Sequence, residues 1–259
     1  MPIDRRAIKA AAREQIRTAR PRPYVAGLLF VAAAGALTAL SYLLLTTKLT
    51  PSAVDTYLKY VLAGRYEDAV NYIATLNPPT TEYLISKVLD LFRGVVAAGF
   101  SLFALNTLRR KDAALGNLLD GFGRIFPLLL LLAVKGLLLY LWTSLLVIPG
   151  IFAFYRYRLA VYLFLDNPQL NPFHCILLSG QMMRGKKGAL LLLDLSFLGW
   201  AFLAFLPLSI GSAYGIPGLV LGALASGAIL AWLLPYYELS CAGFYEAVKT
   251  PIVSIPPEE

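Results

Sequence analysis

Charged side chains are scarce in this sequence. Asp, Glu, Lys and Arg make up 15% of the 259 residues, whereas 58% are hydrophobic and the mean hydropathy is +0.67. Soluble domains carry about 25% charged and about 45–50% apolar residues. The composition therefore excludes a water-soluble globular enzyme, and its high apolar content excludes a disordered chain.

Cysteine and histidine are nearly absent as well. Cys175 and Cys241 fit no CxxC or zinc spacing, and the single histidine, His174, has no cysteine or histidine at ligand spacing. The sequence predicts neither a metal site nor a cofactor. It also contains no GxSxG elbow, Walker A loop, HExxH helix or EF-hand loop. No catalytic residue is predicted, and the protein is not expected to be an enzyme.

Long apolar runs dominate what is present. A helix needs about 20 apolar residues to cross a hydrocarbon core of ~30 Å. We predict six membrane spans, at residues 24–46, 83–108, 126–147, 151–165, 189–210 and 216–235. Together they predict an all-α polytopic helix bundle of about six transmembrane helices.

The fourth stretch is short, and the charge distribution decides whether it crosses. If it does, the cluster from Arg184 to Lys187 lies in the cytoplasm, as the positive-inside rule requires. Both termini are then cytoplasmic, with 15 cations in cytoplasmic segments and three outside. The predicted organisation is a basic amphipathic helix at 1–22, the first transmembrane helix at 23–47, an extracytoplasmic helical hairpin at 48–82, a five-helix membrane core at 83–250 and a disordered tail at 251–259.

Cations cluster in two places that we predict to contact anionic lipid headgroups. In the first helix, cations recur every three or four residues, while Ile8, Ala12 and Ile16 line another face. Residues 170–184 predict a second amphipathic helix that ends in a cationic turn. The predicted headgroup contacts are Arg6, Lys9, Arg13, Arg17, Arg184, Lys186 and Lys187. The alternative for the first group is a topological anchor without further role.

The net charge of +8 does not indicate a nucleic-acid-binding protein. No soluble segment carries a basic stripe with interleaved aromatic residues. A membrane-protein partner is the other predicted interaction.

Lys135 lies at the centre of the third predicted span. A cation there is costly and cannot easily reach the membrane surface, so it should face an anion or a water-filled cavity. Asp90 and Asp194 are the candidate anions by depth. Lys87 and Arg93 share a helical face with Asp90 and can neutralise it within the helix, so Asp194 is the preferred partner. Lys135 is either a substrate-binding residue or half of a structural ion pair.

Arg156 and Arg158 complete the predicted intramembrane polar site. Residues two apart on a regular helix point in different directions, so the two arginines should not share a ligand. Pro149-Gly150 just before them predicts a helix break, and broken helices line cavities in many transporters. The alternative is that the arginines reach the membrane interface or a backbone carbonyl.

Two features of the last span predict packing and depth. Gly218, Gly222 and Ser226 recur every four residues, a spacing that lets another helix approach closely. Trp232, Tyr236 and Tyr237 follow at the position of an interfacial aromatic belt.

Short motifs over residues 116–246 keep a defined order: Asp120-Gly121-Phe122, Ile148-Pro149-Gly150, Asp166-Asn167-Pro168, Ser179, Met182-Met183, Gly185-Lys186, Leu195-Ser196-Phe197-Leu198-Gly199-Trp200, Pro235-Tyr236 and Phe244-Tyr245. This order resembles an uncharacterised family of bacterial multi-pass membrane proteins, domain of unknown function 975 (DUF975). The resemblance implies a six-helix membrane fold in a bacterial plasma membrane and no activity. The chain is also distantly similar to the membrane domains of some glycerophosphodiester phosphodiesterases, which implies a module without catalytic function because no hydrolase domain is present. Neither Lys135 nor residues 48–82 match the family pattern.

Three functions are considered. The first is a non-enzymatic membrane module or accessory subunit that binds lipid or a protein partner. The second is a small transporter with a cationic site at Lys135. The third, an intramembrane enzyme, has no motif in its favour.

Overall fold

The computed structural model describes residues 4–44, 51–76, 80–111 and 113–249, and every regular element within those ranges is helical. The helices are α1 (Arg5–Thr18), α2 (Pro23–Leu44), α3 (Pro51–Leu62), α4 (Tyr66–Leu76), α5 (Thr80–Leu108), α6 (Asn117–Asp120), α7 (Ile125–Leu145), α8 (Val147–Arg156), α9 (Ala160–Asp166), α10 (Pro172–Met182), α11 (Lys187–Gly211) and α12 (Gly215–Val248). Short 3₁₀ turns lie at Gly121–Arg124 and Ser212–Tyr214. The predicted all-α fold is confirmed, and the predicted tail at 251–259 lies outside the described residues.

Among the described residues, six helical segments are long and apolar enough to cross a membrane: Pro23–Ser41, Leu84–Leu108, Asn117–Leu145, Val147–Asp166, Lys187–Tyr214 and Pro217–Val248. Large apolar side chains on these segments, such as Leu137, Phe202 and Leu221, are exposed on the protein surface. Such a surface suits lipid and would be unfavourable in water. The protein is a multi-pass membrane protein.

The chain divides into two compact units, and the smaller one comprises Ala34–Arg93. In this unit α3 and α4 pack as a helical hairpin, with the rings of Tyr60 and Tyr72 5.8 Å apart. Within α5, Asp90 forms ion pairs with Arg93 at 2.5 Å and with Lys87 at 3.5 Å. The intrahelical neutralisation of Asp90 is therefore present.

The larger unit comprises Met1–Ala33 and Gly94–Glu259. Helices α11 and α12 pack along each other, α7 packs against α8, and α10 packs against α7 and α9. Helix α1 lies against α12. The largest fully buried side chains of this unit include Phe103, Leu105, Leu128, Leu131, Leu159, Leu163, Met183, Leu190, Leu193, Leu239, Phe244 and Tyr245.

The fourth span differs from its prediction in length and in the place of its break. It runs from Val147 to Asp166 and is interrupted at residues 157–159, between α8 and α9. Pro149 lies in the first turn of α8, where a backbone N–H has no helical acceptor, so proline is tolerated there. The prediction of a break at Pro149-Gly150 is wrong, because this proline begins a helix and does not interrupt one.

The sixth span continues beyond its predicted end. Helix α12 passes through Pro235 and ends at Val248, so its 34 residues extend for about 51 Å at 1.5 Å per residue. Pro235 cannot donate a hydrogen bond to the Ala231 carbonyl. Gly27 of α2 packs against this point, since a Cβ atom on Gly27 would lie 2.6 Å from that carbonyl oxygen. Because the proline is tolerated, α12 continues into a polar stretch that lies beyond the span predicted from hydropathy.

The row of small residues in α12 forms the contact with α11. A Cβ atom on Gly222 would collide with the Pro207 carbonyl oxygen. A Cβ atom on Gly218 would lie 2.5 Å from the Gly211 carbonyl oxygen. The Ser226 hydroxyl accepts a hydrogen bond from the backbone N–H of Leu208 at 3.0 Å. The close helix approach predicted from the four-residue spacing is therefore confirmed.

Candidate functional site

The turn between α8 and α9 separates the two arginines of the fourth span. Arg158 lies in this turn, where its guanidinium donates to the Tyr237 hydroxyl at 2.8 Å and lies 5.5 Å from the Phe154 ring. Arg156 is exposed at the end of α8, with its guanidinium 5.7 Å from the Tyr157 ring. The two arginines have different surroundings, and only Arg158 enters the polar interior.

Two residues of α12 continue the polar contacts of Arg158. The Tyr237 hydroxyl donates to Asp194 of α11 at 3.0 Å, so Tyr237 bridges Arg158 and Asp194. Glu238 accepts hydrogen bonds from the hydroxyls of Tyr162 and Ser101, each at 2.5 Å. We call Ser101, Lys135, Arg158, Tyr162, Asp194, Tyr237 and Glu238 the polar cluster.

Lys135 joins the polar cluster through Arg158 and Glu238. Its side chain on α7 is partly buried, and Arg158 and Glu238 are the charged groups whose fields act on its ammonium group. The ion pair predicted between Lys135 and Asp194 is not formed among the described residues, and Asp90 takes its partners from its own helix. The acidic residue whose field acts on Lys135 is Glu238, for which no role was predicted from the sequence.

The polar cluster is balanced in charge. Lys135 and Arg158 contribute two cations, and Asp194 and Glu238 contribute two carboxylates. Pairing and hydrogen bonding reduce the cost of placing such groups in an apolar interior. Its members come from α5, α7, α9, α11, α12 and the turn before α9, so the cluster links most helices of the larger unit. The Nε atom of Arg158 is buried without a hydrogen-bond partner among the described residues.

A second ionic group, which we call the terminal network, joins the ends of three helices. Arg109, just after α5, donates to Asp166 at 2.5 Å and also pairs with Glu246 of α12. Asp166, at the end of α9, also pairs with Lys249 and accepts from the Tyr245 hydroxyl at 2.8 Å. The hydrogen bond to Asp166 raises the pKa of Arg109, which stays charged. The sequence analysis missed these roles, although Asp166 and Tyr245 belong to the quoted motifs.

The apolar face of helix α1 packs against the protein. Ile8, Ala12 and Ile16 are buried in the same core as α12. Lys9 donates to the Ser196 hydroxyl at 2.6 Å, and Arg13 donates to the Tyr236 hydroxyl at 3.0 Å. Burial, and next the charges of Arg13 and Arg5, lower the pKa of Lys9.

Part of the predicted headgroup-contact set also contacts the protein. Lys9 and Arg13 contact α11 and α12 because they flank the apolar face of α1. Arg6, Arg13 and Arg17 are all exposed. Tyr236 and Tyr237, predicted to lie in an aromatic belt, form hydrogen bonds with protein groups, and α12 continues past them.

The second predicted group of headgroup contacts, Arg184, Lys186 and Lys187, also includes cations that contact the protein. Arg184 is exposed, but the Lys186 ammonium lies 3.5 Å from the Val248 carbonyl oxygen, and that of Lys187 lies 5.5 Å from the Phe152 ring. Helix α10 contributes most of its residues to the protein core, including Ile176 and Met182, and leaves Phe173 and Leu177 exposed. Helix α10 therefore packs against the bundle along one face and exposes the other.

The two cysteines are free and buried. Burial raises the pKa of the Cys175 thiol to about 11, which disfavours the reactive thiolate. Within the described ranges, no group of three or more His, Cys, Asp or Glu side chains is placed to hold a metal ion.

Comparison with known protein families finds a match, which covers the C-terminal part of this bundle. Residues 144–251 match the model of a family described as "Protein of unknown function (DUF975)". Over these residues the chain is similar to DUF975. No curated protein and no solved structure matches the chain, and the similarity to glycerophosphodiester phosphodiesterases receives no support.

The DUF975 region contains most of both ionic groups. It begins at the end of α7 and includes α8 to α12, and with them Arg158, Asp166, Asp194 and Glu238. Lys135 and Ser101 lie outside it. The motif Asp120-Gly121-Phe122 also precedes the match, so the DUF975 region is shorter than the resemblance over 116–246 implied.

Proposed function

We propose that this multi-pass membrane protein is a non-catalytic module of the plasma membrane whose basic end binds anionic lipid headgroups at the cytoplasmic leaflet. The basic end is formed by α1, the segment after α5 and the last turn of α12, which contact one another through Arg109–Glu246 and Arg110–Glu14. The observation that carries the proposal is the docking of α1. Its apolar face lies against α12, while Arg6 and Arg17 remain exposed.

The cytoplasmic orientation follows from the distribution of cations. Six crossings leave both termini on the same side of the membrane. Most cations outside the spans belong to segments on that side, and loops rich in Lys and Arg stay in the cytoplasm. The anionic surface of that leaflet attracts adjacent cations by about 1 kcal/mol each.

Changing Arg6 and Arg17 together to glutamine is expected to weaken the binding of a short-chain phosphatidylglycerol by about 2 kcal/mol, or roughly 30-fold. Binding is measured by titration of the purified protein in a neutral detergent, with phosphatidylcholine as the uncharged reference. The double variant Lys59→Gln/Arg65→Gln removes the same charge from the smaller unit and should bind like the wild type. Equal binding of the two lipids by the wild type would contradict the proposal.

Binding of a protein partner is the other form of this function. Phe173 and Leu177, one helical turn apart on α10, give the DUF975 region an exposed apolar pair. Stoichiometric co-purification of a second protein in mild detergent would favour this form, and its loss on Phe173→Ser/Leu177→Ser would locate the surface.

A small transporter is the second candidate function. It is favoured by the buried Nε atom of Arg158, which has no partner in the described part of the chain, and by the neighbouring ammonium of Lys135. The charge balance of the polar cluster argues against it, because each carboxylate already accepts hydrogen bonds from protein hydroxyls. Access of water to Lys135 distinguishes the two functions.

A further inference from the structure

The basic end contains a cavity of about 430 Å³ between the last turn of α1 and the chain that leaves α5. Three cationic side chains line it, from Arg20, Arg110 and Lys111. None of its described lining residues is acidic; Asp112 lies outside the described residues. Arg110 pairs with the Glu14 carboxylate at 3.5 Å, and both side chains are largely exposed. The lining is therefore strongly cationic and only weakly neutralised.

A buried hydroxyl in the same cavity lacks a partner. Thr107 is 3% exposed and lines the cavity, and its Oγ1 atom is buried without a hydrogen bond among the described residues. A buried polar atom left unpaired is unfavourable, and in native proteins it commonly indicates a water or an ion that completes its bonding. The amide of Gln15, also buried, lines the same space.

The backbone at Arg110 adds a third observation. Arg110 has φ of 52°, and the N–H groups of Arg110 and Lys111 close the end of α5 on the carbonyls of Thr107 and Asn106. Glycine is the residue preferred at this position of a helix end, because other residues are strained there. An arginine held in this conformation presents its guanidinium beside the cavity.

We propose that this cavity binds a phosphate group, with the cations of Arg20, Arg110 and Lys111 neutralising its charge and the Thr107 hydroxyl donating to one of its oxygens. Guanidinium groups and hydroxyls are the usual donors to phosphate oxygens. The phosphate belongs either to a soluble anion or to the headgroup of an anionic lipid. Only the lipid form rests on the proposed function, because Arg6 and Arg17 do not line the cavity.

The variant Arg110→Gly separates binding from folding. Glycine relieves the left-handed backbone, so the variant should unfold at the same or a higher temperature than the wild type in phosphate-free buffer. Its affinity for inorganic phosphate should fall at least tenfold. Thr107→Val, which replaces the unpaired hydroxyl by a methyl group, should likewise keep stability and weaken phosphate binding.

The test measures the unfolding temperature of the purified full chain in detergent, with sodium phosphate against sodium chloride at equal ionic strength. A parallel series uses nanodiscs of phosphatidylcholine with and without phosphatidylglycerol. Stabilisation of the wild type by inorganic phosphate, lost in Arg110→Gly, supports a site for a soluble anion. Stabilisation by phosphatidylglycerol alone, lost in the same variant, supports a lipid headgroup.

Equal responses of the wild type and Arg110→Gly in both series would overturn the proposal. The variant Arg6→Gln/Arg17→Gln keeps the cavity and should retain the response to inorganic phosphate. If inorganic phosphate stabilises this variant as it does the wild type, and the wild type does not prefer anionic lipid, the phosphate site is supported. Only the proposed function is then rejected.

Discussion

Replacing Asp166 with asparagine is expected to lower the free energy of unfolding by about 3–5 kcal/mol. The Asp166 side chain is 8% exposed and accepts from Arg109, Tyr245 and Lys249. Asparagine keeps the size of the side chain but removes its charge, and its amide N–H₂ group cannot accept from either cation. Removing one partner of a buried ion pair leaves the other charges uncompensated, which is the costly case.

Denaturant unfolding of the purified protein in detergent measures this effect. Glu14→Gln is the matched control, because Glu14 pairs with Arg110 at 3.5 Å with both side chains largely exposed. Exposed ion pairs contribute about 0–1 kcal/mol. Equal losses in Asp166→Asn and Glu14→Gln would show that the terminal network does not hold the helix ends together.

Replacing Glu238 with glutamine is expected to cost about 3 kcal/mol, because it leaves Lys135 and Arg158 with Asp194 as the only carboxylate of the polar cluster. The amide oxygen of the introduced glutamine could still accept from the Tyr162 and Ser101 hydroxyls, which donate to the carboxylate in the wild type. The loss therefore reports mainly on charge and not on packing.

A second substitution tests which cation Glu238 balances. Lys135→Met in the Glu238→Gln background removes the excess positive charge and should recover part of the loss, with an interaction free energy of about 0.5–3 kcal/mol. Lys135→Met combined with Asp194→Asn should show a smaller coupling. A larger interaction free energy of Lys135 with Asp194 than with Glu238 would support the ion pair predicted from the sequence. It would contradict the assignment of Glu238 as the residue that balances Lys135.

Hydropathy and amphipathic spacing predicted the spans and the buried face of α1. Each depends on local composition: a run of about 20 apolar residues favours a membrane crossing wherever it lies. Ile8, Ala12 and Ile16 face one way whatever they contact. The partner of that face was not predictable, and α12 covers it where a lipid surface was expected.

The polar cluster was only partly predictable, because it depends on where α12 ends. Hydropathy falls after Pro235, so the predicted sixth span ends there and does not include Glu238. Extending α12 through the proline makes Glu238 an ionisable residue of a membrane helix, which is a candidate site residue by default. The break at residues 157–159 has no proline or glycine to indicate it, so the direction of Arg158 could not be read from spacing.

Access of water to Lys135 tests most directly the claim that the polar cluster is structural. Cys175 and Cys241 are replaced by alanine, Lys135→Cys is introduced, and the folded protein in sealed vesicles is treated from each side with a membrane-impermeant charged thiol reagent. Arg17→Cys in the same background, exposed on α1, serves as the control that labels from the cytoplasmic side. We predict no labelling at position 135 from either side, as expected for a dry cluster. Labelling at that position would contradict the account and favour a transporter with a water-filled path to Lys135.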